Sequence, residues 1–487
     1  MKKFTLYFLL AAMLTGMISC GGSDTPAGDT TSADTTEPEI TTSYLDTLIN
    51  ETYEGEEINI ILQHVTGSPN VPPEEQTGEA VDDAMYDRDR KIEELLDITL
   101  VYTAYEDRGK LRNDVKTSIT AGEDVYDIIM TSMADGLNTL APEGYLTDLM
   151  TVSALSLDEA WWSRSMHENL TFNGKQYITS GPISLNYFYA PCIMTFNQRL
   201  CDEYQIPNLY EAVLDGKWTL DMYASVTKNV ASDLNADGNM TQDDFFAFAC
   251  DELTGQAFFI GAGGSQTEVG SDGYPVLVMD SAKNIDILDK IISVVAKDSD
   301  RLLTEPLKID GSTIPAYNKT WHFKNARTLF LGYNMSGVIT YMRDMQDDYG
   351  IIPMPKLDEK QAEYLTYGSP WGPCGLAIPI TNAKPEITGT VMEAMAYVSL
   401  NEISPLMFNI TLKEKISRDE NSKLMLDIIY EDVIFDLNGI HNFGSTGNLL
   451  RSCAIGAKEN FSSQYASSLP SAEEALKKLM DQYNAID

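Results

Sequence analysis

The sequence predicts an α/β protein built from two lobes. The chain has 487 residues, which is too long for one ordinary core and suits two packed lobes. After residue 55, strand and helix patterns alternate, which is typical of a parallel sheet with helices on both faces. A run rich in aromatic and aliphatic residues then follows at positions 177–204. We expect this run to cross between the lobes and to form the floor of a ligand cleft.

The first lobe is expected to begin with three strands and two helices. The hydrophobic pattern predicts strands at residues 57–65, 98–105 and 125–130. Amphipathic helices are predicted at residues 81–96 and 110–121, and Gly122 ends the second one. Parallel sheets of this kind bind ligands beyond the carboxyl ends of their strands. The candidate polar contacts at these strand ends are Gln63, His64, Thr66, Thr131, Ser132 and Asp135.

The crossover is predicted to be a strand that leads into a short helix. The turn signal Gly181-Pro182 opens the run, and the helix is expected to begin at Asn197 and to end near residue 204. Side chains alternate in a strand, so Tyr187 and Tyr189 would share one face and Phe188 would take the other. We therefore expect two tyrosine rings to be presented side by side to the cleft.

The second lobe is predicted to contain helices at residues 219–230 and 284–296 and strands at 245–250 and 328–333. Residues 348–354 would carry the chain back to the first lobe, where residues 375–380 would form a strand. Further helices are expected near 387–400 and 471–483. The expected boundaries are therefore 46–190 for the first part of lobe 1, 191–347 for lobe 2, 348–395 for the return to lobe 1, and 396–487 for a helical region that closes the lobes.

The first 45 residues are predicted to lie outside the folded lobes. Lys2 and Lys3 precede an apolar run at residues 4–18, which is too short for an ordinary membrane span and is typical of a signal peptide. Residues 17–20 resemble a bacterial lipobox, in which Cys20 would carry lipid chains such as palmitate. The alternative is a simple secretory peptide that contains Cys20. Residues 21–45 include a long stretch of Gly, Ser, Thr, Asp and Pro, which predicts a disordered tether.

Composition excludes some partners. With 34 basic and 73 acidic residues, the net charge is −39, which argues against nucleic acid and against extended contact with an anionic membrane. The cysteines other than Cys20 have no metal-binding or redox spacing and are expected to be small buried residues.

A calcium loop is predicted at residues 233–244. The segment fits the pattern D-x-[DN]-x-[DN]-G with an acidic residue at the twelfth position. Oxygen ligands at alternate positions and a glycine at the sharp turn suit a hard cation. The alternative is an acidic turn before a strand. The expected ligands are Asp233, Asn235, Asp237, Asn239 and Asp244, although Asp244 is shorter than the usual glutamate.

The ligand site is expected to use aromatic faces. An aromatic ring offers an apolar face on which the C–H groups of a small ligand can stack, while the polar groups of the ligand need paired donors and acceptors. The candidates are Tyr187, Tyr189, Tyr333 and Trp371, of which Trp371 is the first choice. There is no nucleophile elbow, phosphate loop or dinucleotide fingerprint, so no catalytic residue or catalytic cofactor is expected. A pair of carboxylates like that of a glycosidase stays open.

Six short segments after residue 55 form a pattern of their own: Asn173-Gly174-Lys175, Phe196-Asn197, Gly216-Lys217-Trp218-Thr219, YDIIMTS at 126–132, DDYGIIPMPK at 347–356 and PWGPCGLAIPITNAKPE at 370–386. Together they resemble bacterial extracellular solute-binding proteins of family 1, the sugar-type receptors of ABC importers. They are spread over most of the chain after residue 55.

The resemblance implies a periplasmic-binding-protein-like fold of type II with hinge crossovers. It also implies a monomeric, lipid-anchored receptor outside the cytoplasm that captures a carbohydrate and delivers it to a membrane permease, without enzyme activity. The alternatives are a surface-anchored glycan-processing enzyme and a receptor for a peptide, a polyol or a metal complex.

Overall fold

A computed structural model of the chain describes residues 44–48, 52–65, 71–240, 244–296, 302–304, 308–309, 312–313, 317–342, 344–409, 420–456 and 460–485. Residues Tyr44–Asp487 form one compact unit. The expected signal peptide, Cys20, most of the tether and Thr66 lie outside the described residues. Within these ranges, no helix has the length and apolar character needed to cross a membrane.

The strands of the described residues form two large sheets and three short pairs. Their bounds are β1 (Glu56–Gln63), β2 (Ile98–Tyr105), β3 (Ile128–Thr131), β4 (Thr179–Ser180), β5 (Cys192–Asn197), β6 (Phe246–Cys250), β7 (Thr267–Val269), β8 (Pro275–Leu277), β9 (Leu302–Thr304), β10 (Lys308–Ile309), β11 (Ser312–Thr313), β12 (Thr328–Asn334), β13 (Tyr349–Ile352), β14 (Thr366–Tyr367), β15 (Gly375–Ala377) and β16 (Val433–Ile434).

The helices cover both sheets and fill the C-terminal part of the chain. Their bounds are α1 (Tyr44–Leu48), α2 (Ala80–Leu96), α3 (Arg108–Ala121), α4 (Asn138–Leu140), α5 (Arg164–Leu170), α6 (Gln198–Glu203), α7 (Leu209–Leu214), α8 (Leu220–Thr227), α9 (Glu252–Gly261), α10 (Ala282–Ile291), α11 (Tyr317–Lys324), α12 (Met335–Tyr341), α13 (Pro385–Val398), α14 (Ser404–Leu406), α15 (Glu420–Glu431), α16 (Leu437–His441), α17 (Thr446–Gly456) and α18 (Phe461–Ala485).

Each large sheet forms the centre of one lobe, which confirms the two-lobed α/β fold. The first sheet has the order β2-β1-β3-β15-β4, with β1 parallel to β2 and β3 and with β15 antiparallel to its neighbours. The second has the order β13-β5-β12-β6-β9. Since β15 comes after the whole second sheet in the chain, the chain crosses between the lobes more than once. The predicted return to the first lobe at residue 375 is confirmed.

Local sequence signals end the elements of the first lobe where they were expected. Ile60 and Leu62 of β1 pack on one side of the sheet and Ile61 packs on the other, as strand alternation requires. Helix α3 is capped at its start by Asp107, whose carboxylate accepts the backbone N–H of Lys110. It ends at Gly122, whose φ of 71° is costly for residues with a side chain.

Cap residues and a buried tryptophan likewise stabilise the second lobe. Asn197 caps α6 and Thr219 caps α8 through their side chains. Trp218 is fully buried in the core of this lobe and donates its indole N–H to the carbonyl of Pro353 at 2.9 Å. The cysteines of the described residues are all buried, as predicted for Cys192, Cys201, Cys250, Cys374 and Cys453.

The crossover differs from the prediction. Residues Leu185–Tyr189 form a 3₁₀ helix rather than a strand, so the expected side-by-side arrangement of Tyr187 and Tyr189 is wrong. Two contacts to distant parts of the chain hold the residues just before this turn. Arg88 donates to the carbonyl of Ile183 at 3.3 Å, and the Ser184 hydroxyl donates to the carbonyl of Pro373 at 2.9 Å. These tertiary contacts override the local strand propensity of the aromatic residues.

The boundary between the second lobe and the return segment also differs. Strand β13 was expected to lie on the way back to the first lobe, but it pairs with β5 at the edge of the second sheet. The pairing runs from Tyr349 opposite Asn197 to Ile352 opposite Met194. The chain therefore leaves the second sheet after Ile352 and not at residue 348.

Candidate ligand-binding cleft

A cavity of about 340 Å³ lies between the two sheets. Its volume is within the range of small-molecule sites in proteins. The first lobe supplies residues at the ends of β1 and β2 and in the loop before β15. The second lobe supplies residues of β12 and α12, and the crossover supplies the floor. The lining residues are Gln63, Val65, Arg108, Asn186, Tyr189, Ala190, Tyr333, Asn334, Ser336, Thr340, Tyr341, Ser369, Trp371, Gly372 and Pro373.

Gln63 lies at the end of β1 and is held in place by two residues that were themselves candidate contacts. Its side-chain carbonyl oxygen accepts the hydroxyl of Thr131 at 3.1 Å and the backbone N–H of Ser132 at 3.2 Å. Thr131 and Ser132 are fully buried and do not line the cavity. The structure therefore places Gln63 at the cavity and these two residues behind it, where they orient its amide group.

Asp135 reaches the cavity only through an arginine. Its carboxylate forms ion pairs with Arg108, whose Nε is 2.7 Å from Oδ2, and with Arg112, whose terminal nitrogen is 2.8 Å from Oδ1. Arg108 lines the cavity, and its guanidinium carbon lies 5.8 Å from the ring centroid of Trp371. Asp135 thus positions Arg108 and does not line the cavity itself.

Aromatic side chains from both lobes line the cavity. Tyr333 of β12 and Tyr341 of α12 have nearly parallel rings, with centroids 6.5 Å apart and 10° between the planes. Trp371 comes from the loop before β15 and is 39% exposed, so its ring is accessible at the cavity. Burial, and to a smaller extent Asp82, raises the pKa of Tyr189 to about 12, so its hydroxyl stays protonated at neutral pH.

Two candidate contacts lie elsewhere. Tyr187 lines a separate cavity of about 310 Å³, formed with α5 and β16, and its ring packs near Phe188 and Phe435. His64 does not line either cavity, and its backbone N–H donates to the carbonyl of Tyr105 at 2.8 Å. Of the nine predicted contacts that belong to the described residues, Gln63, Tyr189, Tyr333 and Trp371 line the cleft.

Sequence reasoning missed several lining residues whose positions carried a signal. Arg108 follows β2 at the same edge of the sheet as Gln63, but the strand-end rule was applied only to the first and third strands. Asn334 ends β12 and caps α12, where its side chain accepts the backbone N–H of Gly337 at 3.2 Å. Helix α12 then contributes Ser336, Thr340 and Tyr341. The search for candidate residues could therefore have continued from the strand end at Gly332-Tyr333-Asn334 into the helix that follows it.

The predicted calcium loop adopts a tight turn. Asp233 accepts the backbone N–H groups of Ala236 at 2.7 Å and of Gly238 at 2.8 Å, and Gly238 has a φ of 84°. Asp244 is fully buried and accepts the backbone N–H of Leu234 at 2.9 Å. Residues 241–243 of the loop lie outside the described residues. In the part of the chain that is described, no three His, Cys, Asp or Glu side chains gather as a metal site.

Three solved structures are similar to this chain over most of its length. The cyclic α-maltosyl-1,6-maltose binding protein from Arthrobacter globiformis has 12% identity and a TM-score of 0.54, covering 87% of this chain and 99% of that one. The ABC substrate-binding protein Lmo0181 from Listeria monocytogenes, in complex with cycloalternan, has 14% identity and a TM-score of 0.50, covering 88% and 98%. RafE from Streptococcus pneumoniae has 14% identity and a TM-score of 0.50, covering 89% and 98%.

The chain has the two-lobed fold of periplasmic binding proteins. At this level of identity, the similarity establishes the fold and leaves the ligand open. No family model matches the chain, and no curated protein matches it by sequence. In such a fold, the cavity between the lobes is where both lobes can contact one ligand, which is the position of the cleft described above.

Proposed function

We propose that this chain is the substrate-binding protein of an ABC importer that captures a carbohydrate outside the cytoplasm. The observation that carries the proposal is the cavity between the lobes, which both sheets line with aromatic, amide and hydroxyl side chains. Aromatic rings can stack on the C–H face of a sugar, and the polar groups can pair with its hydroxyls. The structural neighbours include an ABC substrate-binding protein in complex with cycloalternan and a cyclic α-maltosyl-1,6-maltose binding protein, which supports this choice.

Hinge closure would supply the mechanism. Trp371 and Gln63 belong to one lobe, and Tyr333 and Tyr341 belong to the other. A solute that contacts both groups only when the lobes are closed shifts the population toward the closed state. The closed form would then deliver the solute to a membrane permease. Lipid attachment at Cys20 would hold the monomeric receptor near that permease, at the outer face of the cell membrane.

The glycan-processing alternative lacks support from the cleft. Most glycosidases use two carboxyl groups roughly 5–10 Å apart across the scissile bond. Among the described residues that line the cavity, there is no Asp or Glu. A binding role without turnover is therefore the function that the geometry favours.

We also propose that residues 233–244 bind calcium and stiffen the second lobe. Asp233, Asn235 and Asp237 supply oxygen atoms at alternate positions, and Gly238 takes the sharp turn at the sixth position. The buried carboxylate of Asp244 would close the loop from the twelfth position.

Thermal unfolding against a panel of carbohydrates, polyols and peptides tests the receptor function. A solute at a hundred times its Kd should add about 2.7 kcal/mol to the free energy of unfolding, which is a clear rise in Tm. Trp371→Ala should weaken binding, whereas Trp321→Ala should not. The two tryptophans are 39% and 40% exposed, but Trp321 lies outside the cleft. Recovery of the sugar unchanged after incubation would exclude turnover, and a panel without any shift would refute the receptor function.

A further inference from the structure

The charge of the cleft differs from the charge of the chain. Acidic residues make up 73 of 487 positions, or about 15%, so fifteen residues drawn at that rate would include about two. The fifteen described residues that line the cavity include no Asp or Glu and one cation, Arg108. The lining is therefore positive within a strongly negative protein.

The ion pairs around Arg108 leave a positive charge at the cavity. Arg108 and Arg112 share the single carboxylate of Asp135, so these three side chains together carry a net charge of +1. A further cation comes from the second lobe, because the guanidinium carbon of Arg451 on α17 lies 5.9 Å from the ring of Trp371. Trp371 thus lies near one guanidinium from each lobe, at 5.8 and 5.9 Å.

The pairing of Arg108 leaves a suitable group for an anion. The contact with Asp135 uses Nε, while the two terminal nitrogens of a guanidinium form the fork that binds a carboxylate bidentately. Asp82, which acts on Tyr189 through space, does not line the cavity. An anionic group bound near Arg108 would therefore meet no facing carboxylate among the described lining residues.

The hydrogen-bonding chemistry of the lining points the same way. Sugar hydroxyls both donate and accept hydrogen bonds, and ionised carboxylates accept without donating. A cleft for a neutral sugar can use carboxylates as strong acceptors, but this lining provides only amides, hydroxyls and a guanidinium. Such a lining suits a ligand that brings negative acceptor groups of its own.

We propose that the solute is an acidic carbohydrate, whose carboxylate or sulfate group is bound by Arg108 while its ring stacks on Trp371. This inference rests on the proposed function of the chain as a carbohydrate receptor. The net charge of −39 does not oppose it at the site, because the Debye length at physiological salt is about 8 Å and screens distant charges. Local charges at the cleft therefore decide the preference.

The test compares acidic sugars with neutral forms of the same sugars. Calorimetry of the purified protein would use a panel of oligouronates, each beside its methyl ester, together with sulfated disaccharides beside their desulfated forms. We expect one acidic ligand to bind at least about tenfold more tightly than its neutral form, since hydrogen bonds to charged groups are stronger than neutral ones. Whether the bound ligand is an oligouronate or a sulfated sugar identifies the anionic group, and either result supports the proposal.

Two variants and a salt titration test whether Arg108 causes the preference for the acidic ligand. Arg108→Gln should weaken binding of the acidic ligand by about 10- to 100-fold and should reduce the ratio between the affinities of the acidic and neutral forms by a similar factor. Arg90→Gln removes one cation from an exposed position of the same lobe outside the cleft and should change neither affinity. Because Arg108→Gln also removes a partner of Asp135, the wild-type protein provides a second measurement. Its affinity for the acidic form should fall when the salt concentration is raised from 50 to 500 mM, because salt screens about one ion pair between ligand and protein. Its affinity for the neutral form should stay constant.

The outcomes separate the inference from the proposed function. Binding of a neutral sugar as tight as that of its acidic form would overturn the inference and leave the receptor function intact. An acidic ligand whose affinity does not respond to salt or to Arg108→Gln would also overturn it. Failure of every neutral and acidic sugar to bind would overturn both.

Discussion

Replacing Glu393 by glutamine should destabilise the protein by about 2–4 kcal/mol. Glu393 lies on α13 and is fully buried, and its carboxylate accepts four hydrogen bonds. Oε1 accepts the indole N–H of Trp161 and the hydroxyl of Tyr44, both at 2.9 Å. Oε2 accepts the indole N–H of Trp162 at 2.8 Å and the backbone N–H of Ser156 at 3.2 Å. The carboxylate thereby joins the start of the folded unit, a tryptophan pair and a helix of the first lobe.

The magnitude follows from the number of donors that lose their acceptor. Glutamine keeps one oxygen, which can still accept two of the four bonds. Its amide group would face the other two donors, and each buried donor without an acceptor costs about 1–3 kcal/mol. Burial raises the pKa of Glu393, which shows that the ionised carboxylate carries a desolvation cost that glutamine removes. The relief offsets part of the loss, which leaves about 2–4 kcal/mol.

Denaturant unfolding at pH 7 measures this difference, and Glu386→Gln is the matched control. Glu386 lies two turns earlier on α13, and its exposed carboxylate accepts the backbone N–H and the hydroxyl of Ser153 at 3.1 and 2.7 Å. The control should cost under about 1 kcal/mol, as is usual for exposed positions. If Glu393→Gln were as stable as the wild type within about 0.5 kcal/mol, the reasoning would be refuted. The four donors would then not depend on an ionised acceptor.

Three further predictions concern other parts of the chain. Burial raises the pKa of Asp436 to about 6, so between about pH 4 and 6 the folded state holds a proton that the unfolded chain has released, and stability falls as the pH rises. Asp436→Asn loses part of the acceptor capacity for Gln266 and Gly439, which is a loss of stability that does not depend on pH. Its stability relative to the wild type should nevertheless rise by up to about 3 kcal/mol from pH 4 to pH 7 in a series of denaturant unfolding measurements, and parallel pH curves would contradict this. Gly350→Ala would place a Cβ atom 2.3 Å from the Phe196 ring and should cost about 1–3 kcal/mol in denaturant unfolding. A Cβ atom at Gly372 would have no heavy atom within 4 Å, so Gly372→Ala should leave the free energy of unfolding unchanged. Equal effects of the two changes would show that β13 can move far enough to relieve the contact with Phe196. A calcium chelator should lower the Tm of the wild type but not that of Asp233→Asn, and a wild type indifferent to the chelator would remove the proposed calcium loop.

The sequence predicted those parts of the fold that depend on local signals. The end of α3 at Gly122 and the start of α8 at Thr219 follow from a glycine and a cap residue, whereas α8 ends at Thr227 and not at the predicted residue 230. The alternation of strand and helix patterns predicted the first sheet, and the strand predicted at residues 375–380 lies in that sheet as β15. These features are readable because each is decided by residues that are close together in the sequence.

The remaining features depend on distant contacts that no local pattern contains. The 3₁₀ helix at Leu185–Tyr189 follows from contacts to Arg88 and Pro373, which lie far away in the sequence. Which of the two sheets β13 joins is decided by its pairing with β5, a strand about 150 residues earlier in the chain. For the same reason, the strand-end rule located Gln63 but could not distinguish the residues that line the cavity from those that support them, such as Thr131.

Helix α18 belongs to the hydrophobic cores of both lobes. Phe461 and Tyr465 pack in the core around the second sheet, while Leu479 and Tyr483 pack in the core around the first. Pro470 lies between these two halves of the helix. Both cores are therefore completed by one and the same helix, and neither lobe can finish folding without it in the way that separate domains do. We expect the two lobes to reach their final packing together and to unfold in one cooperative transition, although the cleft divides them in space.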